Sequence, residues 1–475
     1  MEAGELLTFW RPLLASLAGI AGLLFLILAR RVNAFAALLL AALATGLAAG
    51  LAPGAVLEAV QNGFAGVLGF IAVIVGLGAL LGVYLEASGG AAALARAIIG
   101  DRPPRAASIA MGVVGLVIAI PVFFDVGLIL LFPLVHALAL KSGRPALFYG
   151  LPLLAGLAAA HAFIPPTPGP VAVAQMLGAD LGLVMVCGLA AGVPAMLIAG
   201  PAYAHFADRR GWLASGDGVG VGERPYDRAS AEVLAADIPA QMGPTDTALA
   251  RRAVLAIAVP VGLIILAALT ALWGPGDGAG EGSAGLGEWI AFIGHPFAAL
   301  LIGCGLASWV LRPVDAAGRA RLQDGLARAF EPTAVILLVT GAGGAFKQVL
   351  VDTGAGAMLA EGLLGFGLGP IVAGFLLAAM VRVAQGSATV AMLTAAGLAA
   401  PLALAAGLSA WDLAVMVIAI ASGASVVSHV NDSGFWLVSR YFGISVGQTL
   451  ASWTVASTLV GLTGFIIALV LGAAV

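Results

Sequence analysis

The chain has 475 residues, 61% of them hydrophobic and 9% charged, with a formal net charge of −3 and a mean hydropathy of +1.10. Roughly 25% of an ordinary soluble domain is charged, so this composition excludes a soluble globular fold. It also argues against a nucleic-acid partner, whose phosphates need clustered Lys and Arg, and implies a polytopic membrane protein.

Residues Met1 to Arg11 are acidic, and the first apolar run ends in Arg30-Arg31 instead of a small-residue cleavage site, so no removable signal peptide is expected. Spanning runs are expected at 12–30, 33–52 and 63–85, each near the length that crosses a bilayer. A short amphipathic piece near 90–100 follows. Two shorter runs, 105–119 and 127–141, flank "PVFFDVG" and its Pro121, and read as a re-entrant hairpin rather than two crossings. The next apolar stretch is interrupted by "HAFIPPTPGP" at 161–170. Proline lacks the backbone donor and clashes with the preceding turn, so no helix is expected to run through Pro165, Pro166, Pro168 and Pro170. A last span at 180–204 closes a first unit, 1–206.

Residues 207–250 carry mixed charge and the spaced glycines of "GDGVGVGERPYDR" without the strand-turn-helix setting of a phosphate loop, and read as a flexible cytoplasmic linker. The second unit, 251–475, reads in the same order. Spans are expected at 251–273, 289–311 and 330–350, with a Gly-rich external loop at 274–287 and an amphipathic piece at 355–365. A hairpin of 368–381 and 390–404 around "RVAQGSAT" follows, then a helix broken at "SHVNDSGFW" and a last span at 448–472. The two cysteines, Cys187 and Cys304, lie inside apolar runs and form neither a disulfide framework nor a metal spacing. No cofactor is expected.

The parallel order reflects an internal duplication. "GLGALLGVYLEASGGAAALARAIIG" (76–100) aligns without gaps on "GAGGAFKQVLVDTGAGAMLAEGLLG" (341–365), and the register carries His161 close to His429. Five crossings plus a hairpin that returns to its own side is an odd count, so the second half is expected to be inverted relative to the first. With the N-terminus outside, 18 of the 21 Lys and Arg residues fall on the cytoplasmic side, all but Arg11, Lys347 and Arg382. The expectation is an all-α protein of ten spans with both termini outside.

Broken backbone at membrane depth leaves polar groups that only protein or a watery cavity can satisfy. Two hairpin tips and two interrupted helices, related by an inverted repeat, are what secondary transporters use to build a midplane site. "PVFFDVG", "YGLPLLAGLAAAHAFIPPTPGPVAVAQMLGADLG", "RVAQGSATVAMLTAAG" and "SHVNDSGFWLVSRYFGISVGQTLASWTV" closely resemble the gluconate permease family of proton symporters, over roughly 10–205 and 250–475. The resemblance implies proton-coupled uptake of gluconate or a related sugar acid across a bacterial-type cytoplasmic (inner) membrane. The family's similarity to the wider ion transporter superfamily implies a homodimer with a scaffold and an elevator-type transport domain.

A sugar acid presents one carboxylate and a chain of hydroxyls. Helix N-terminal N–H groups and small donors suit the carboxylate, at Gly386, Ser387 and Thr389 on one tip and at Thr167 and Gly169 on the broken helix. Gln385, Asn431, Asp432 and Ser433 offer donors and acceptors together for the hydroxyls. Ser387 and Asn431 also read as helix caps. Four ionisable groups stand at membrane depth, Asp125, His161, His429 and Asp432, and are the proton-coupling candidates. Asp125, among Phe123, Phe124 and Val126, is the first choice as proton carrier and Asp432 the second; Asp125 also reads as a helix cap, and the histidines also read as neutral struts. Arg382 and Lys347 are expected near the outer face, snorkelling.

An enzyme is the rival of a different class, but no Gly-x-Ser-x-Gly or His-Glu-x-x-His constellation occurs. A channel would want rings of like charge, which the pattern lacks. Sodium-coupled carboxylate symport is the closer alternative, because unwound carbonyls and Ser, Thr and Asn oxygens also suit Na⁺.

Overall fold

The structure, a computed structural model, describes residues 3–30, 32–213, 246–272, 286–313, 315–354, 369–430 and 432–473. Residues 274–285 of the external loop, the amphipathic piece expected at 355–365, residues 214–245 of the linker and Asn431 lie outside the described residues.

Every regular element among the described residues is a helix. The first half holds α1 (Ala3–Leu28), α2 (Ala34–Ala49), α3 (Pro53–Ala87), α4 (Gly90–Ile99), α5 (Pro104–Ile118), α6 (Phe124–Ser142), α7 (Leu147–Phe163) and α8 (Pro168–Leu177). It ends with α9, from Leu181–Leu197 through a π-turn at Ile198–Ala202 to Tyr203–Arg209. The second half holds α10 (Thr247–Leu272), α11 (Leu286–Gly294), α12 (Pro296–Val310), α13 (Ala316–Arg328), α14 (Glu331–Asp352), α15 (Pro370–Gln385), α16 (Ala388–Ala405), α17 (Ala410–Gly423) and α18 (Ser433–Phe442). Its last helix, α19, runs from Val446–Thr449 through a π-turn at Leu450–Thr454 to Val455–Ala473. Among the described residues nine helical runs are long and apolar enough to cross a bilayer, or ten if the bent pair α11 and α12 is one span. The chain is a multi-span membrane protein.

Several boundaries differ from the sequence reading for identifiable reasons. Helix α3 starts at Pro53 rather than near 63 and runs for 35 residues, because Pro53 takes the first helical position, where no N–H is needed, and the polar Glu58, Gln61 and Asn62 are exposed rather than helix-breaking. The expected span 289–311 is two helices bent by 66°, with His295 capping Phe297 N–H and Pro296 opening α12. Of the four prolines in "HAFIPPTPGP", only Pro165 and Pro166 lie in the break; Pro168 and Pro170 sit in the first turn of α8, where their missing donors cost nothing. Helices α6 and α16, expected as the second arms of the two hairpins, are 19 and 18 residues long, against 16 for α2, and both are long and apolar enough to cross a bilayer. Length alone therefore does not separate a hairpin arm from a crossing.

Two sets of contacts organise these helices. Helix α14 packs along α3 and α2, while α10 packs on α12 and α4. The approach of α3 to α14 is close because Gly63 and Gly344 face each other: a Cβ on Gly63 would stand 2.4 Å from the Gly344 carbonyl oxygen, and one on Gly344 2.5 Å from that of Gly63. Small residues that let backbones touch are how helices associate where lipid is as apolar as the protein. In the other set α5 packs on α7 and α7 on α9, and in the second half α15 packs on α17 and α17 on α19. Helices α7 and α8 form its centre, with 89% of their most apolar window buried. Such a helix, apolar on all sides, belongs inside the protein rather than against lipid.

Candidate functional site

Three helix N-termini open onto one cavity of about 390 Å³. Helix α6 presents Phe124, Asp125 and Val126; α16 presents Ser387, Ala388 and Thr389; α18 presents Asp432, Ser433 and Gly434. Each terminus carries unpaired N–H groups and the positive end of a helix dipole, so the three together favour an anion. The caps are built from the sequence. Ser387 Oγ accepts from Val390 N–H (3.4 Å) and Asp432 Oδ1 from Gly434 N–H (3.1 Å), while Gly386 ends α15 with φ of 90°, a left-handed conformation that suits glycine. Ser387 is thus both a cap and a lining residue.

The cavity's one guanidinium is Arg382, on the last turn of α15. It is 3% exposed, so it does not snorkel to the outer face as the sequence reading had it. Its Nη2 donates to Asp432 Oδ2 at 2.5 Å, whereas Nε and Nη1 are buried with no hydrogen-bond partner among the described residues. Buried charge is retained only where it is paired or hydrogen-bonded, and unsatisfied buried donors of this kind call for a ligand or water. Ser428 Oγ also donates to Asp432 Oδ2 and accepts from Trp453 Nε1 (2.8 Å). The chain between α17 and α18 is held by further bonds: Ser428 N–H to Ser457 Oγ (3.2 Å), Val427 N–H to Thr458 Oγ1 (3.0 Å), and Thr454 Oγ1 to the Ser428 carbonyl. Val427 sits at φ of 49°, a conformation rare for a β-branched residue that persists only where its surroundings enforce it.

Six of the residues singled out from sequence line this cavity: Asp125, His161, Ser387, Thr389, Asp432 and Ser433. Asp125 does not cap α6, whose N-cap is Phe123; it stands in the first turn, exposed, opposite the Arg382–Asp432 pair. His161 has its Nδ1 buried without a partner among the described residues and its ring 6.4 Å from that of Phe123. Thr167, Gly169, Gln385, Gly386 and His429 are not among the lining residues. Thr167 donates to the Ile164 carbonyl (2.6 Å), bracing the first break; Gly169 packs behind Met392, which does line the cavity; Gln385 has its Oε1 buried without a partner among the described residues; and His429 Nε2 meets the Val383 carbonyl at 2.8 Å, a strut between α15 and the second break. Sequence reasoning missed Arg382, Ser425, Trp453 and Ser457. Arg382 reads from sequence only as a snorkelling cation, although it stands three residues before the Gln-Gly-Ser tip.

Among the described residues no three His, Cys, Asp or Glu side chains come together to hold a metal. What the cavity offers is recognition of an anion by charged and dipolar donors, with hydroxyls from Thr389, Ser425, Ser433 and Ser457 and aromatic walls from Phe124 and Trp453, whose rings lie 5.5 Å apart.

Known proteins resemble the chain over nearly its whole length. The sequence pattern of a family described as GntP family permease matches residues 11–474. The low-affinity gluconate transporter of Escherichia coli K12 is 36% identical over 453 residues, covering 94% of this chain and 95% of its own length. The Gnt-II system L-idonate transporter of the same strain is 34% identical over 455 residues (96% and 98%), and the gluconate permease of Pseudomonas aeruginosa 35% over 463 residues (97% of each). Among solved structures, the Alcanivorax borkumensis YdaH transporter superposes with a TM-score of 0.55 over 93% of this chain and 98% of that one at 16% identity, a likeness of fold alone.

Proposed function

Given that the chain belongs to the GntP family of permeases, we propose that it is a secondary transporter that takes up gluconate or a closely related sugar acid together with protons. The family is one of permeases, so the enzyme reading falls away.

One observation carries the substrate reading: a buried guanidinium, two of whose nitrogens have no partner among the described residues, where three helix N-termini meet. A carboxylate seated beside Arg382 meets the positive charge of the guanidinium together with the N–H groups of the helix N-termini. The lining hydroxyls then pair with those of the sugar chain, and the Phe124 and Trp453 rings cover its C–H faces, the usual division of labour in a small-molecule site. Asn431 stays in the reading as a partner for substrate hydroxyls.

Asp125 supports the coupling reading. A carboxylate about 4 Å from a bound anion, at an effective dielectric of about 20, opposes it by about 4 kcal/mol, or about a thousandfold in affinity. A proton on Asp125 removes that opposition, so proton and substrate load together and each strengthens the other's binding. Asp432 already accepts from Arg382, Ser428 and Gly434, which leaves Asp125 as the proton carrier in this reading, with His161 beside it and His429 as a strut.

For movement, we assign α1–α4 and α10–α14 to a scaffold and α5–α9 with α15–α19 to a transport block, in two inverted halves with re-entrant hairpins, both termini outside and a homodimeric assembly. The parallel order of elements supports this division, and α14 on α16, α3 on α8 and α10 on α9 form the contacts along which the two parts would slide.

Thermal unfolding of the purified protein against a ligand panel tests the substrate reading. Gluconate raises the melting temperature in a saturable way, and glucose, which lacks the carboxylate, does not. Equal response to both would remove the role of Arg382.

A further inference from the structure

The Arg382–Asp432 pair bears on the half of the cycle in which nothing is bound. A symporter that delivers its substrate must bring its empty site back across the barrier, and a buried, unpaired charge is strongly disfavoured on that path. Arg382 would be such a charge if it had no counter-ion. It is 3% exposed, and its one ion-pair partner among the described residues is Asp432, at 2.5 Å.

The carboxylate is held there from three sides. Arg382 Nη2 and Ser428 Oγ both donate to Oδ2, and Gly434 N–H donates to Oδ1. Trp453 fixes the direction of the chain: an indole N–H only donates, so its 2.8 Å bond to Ser428 Oγ occupies a lone pair there and leaves the serine's own hydrogen for Asp432. The cavity's other carboxylate, Asp125, lies beyond ion-pair distance of Arg382. Nε and Nη1 of the guanidinium are buried without a hydrogen-bond partner among the described residues, so Asp432 carries the compensation of this charge within the protein.

We propose that Asp432 is the built-in counter-ion of Arg382 in the empty carrier, positioned by Trp453 through Ser428, and that it permits the return of the unloaded site. This rests on the transporter reading above. It separates two fluxes that the cycle otherwise couples. Exchange of substrate for substrate needs only the loaded site to cross, and there the substrate carboxylate itself compensates Arg382. Net flux needs the empty site to cross as well.

The test is the ratio of gluconate exchange to net gluconate efflux from proteoliposomes, at equal pH on both sides with a protonophore present. In the parent protein the two rates are expected to be similar. In Asp432→Asn the ratio is expected to rise at least ~10-fold, because only the empty site is left with an isolated buried charge, and Asp432→Glu is expected to restore a low ratio. A ratio unchanged in Asp432→Asn, whether both rates persist or both fall together, overturns the proposal. So does a parent protein whose net efflux is already far slower than exchange, a result that stands even if the variant does not fold. Absence of any gluconate flux in the parent would instead refute the transporter reading and not the counter-ion.

Discussion

Arg382 and Asp432, 50 residues apart in the chain, are joined at 2.5 Å inside the cavity, and two of the guanidinium's nitrogens point to no protein partner among the described residues. The pair ties the end of α15 to the segment between α17 and α18, and so couples two irregular segments of the second half.

Arg382→Gln is expected to weaken gluconate binding at least ~10-fold, since each hydrogen bond to a charged group contributes about 1.5–3 kcal/mol. It also leaves Asp432 buried without its counter-charge, a loss of about 3–5 kcal/mol in comparable buried pairs, so the melting temperature falls as well. Arg382→Lys keeps the charge without the planar fork and falls between the two. Titration with gluconate during thermal unfolding reads both effects; parental affinity in Arg382→Gln would move the anchor elsewhere.

Asp125→Asn is expected to abolish the pH dependence of substrate affinity. In the parent, affinity falls as pH rises, because the ionised carboxylate opposes the anionic substrate in the same cavity. The amide cannot acquire that charge, so its affinity stays near the parent's low-pH value across the range. Gluconate titrations from acid to neutral pH read the slope, and a variant with the parent's slope would shift the proton to His161, His429 or Asp432.

The broken helices were legible because proline and polar residues inside apolar runs have few other uses, and both breaks fall where "HAFIPPTPGP" and "SHVNDSGFW" put them. Three site signals were weaker. Arg382 is one helical turn from the tip, and hydropathy cannot distinguish a cation snorkelling outward from one turned inward onto Asp432. Trp453 and Ser457 lie at the start of an apolar span, aimed at the cavity by the π-turn at Leu450–Thr454 and the turn after it, which no sequence period announces. Thr167 and Gly169 were expected at the site as donors at a helix N-terminus, but the first break closes on itself through Thr167 and Ile164.

Two glycines separate contact with backbone from contact with a flexible side chain. A Cβ on Gly82 would stand 2.4 Å from the Pro121 carbonyl oxygen at the first hairpin tip, whereas one on Gly169 would meet the Met392 Cε at 2.7 Å. Backbone cannot yield as a methionine terminus does. Gly82→Ala is therefore expected to lower the melting temperature by several degrees, since overpacking costs about 1–3 kcal/mol, and to slow transport, while Gly169→Ala changes stability little. Equal effects would mean that α3 and the hairpin tip part easily.

The proposed inverted arrangement makes a simple demand on the two long loops. Single cysteines placed at Gly216 and Gly280 are expected to react from opposite faces of intact cells, with Gly280 accessible to an impermeant thiol reagent outside and Gly216 protected until the membrane is opened. Labelling of both from the same side would end the inverted-repeat account.

The central claim, that protons drive a sugar acid through this cavity, is tested most directly by uptake of labelled gluconate into proteoliposomes under imposed gradients. With an alkaline interior and no sodium, gluconate is expected to accumulate above its external concentration and to leak back when a protonophore is added. Accumulation that follows a sodium gradient and ignores the pH gradient would contradict the account.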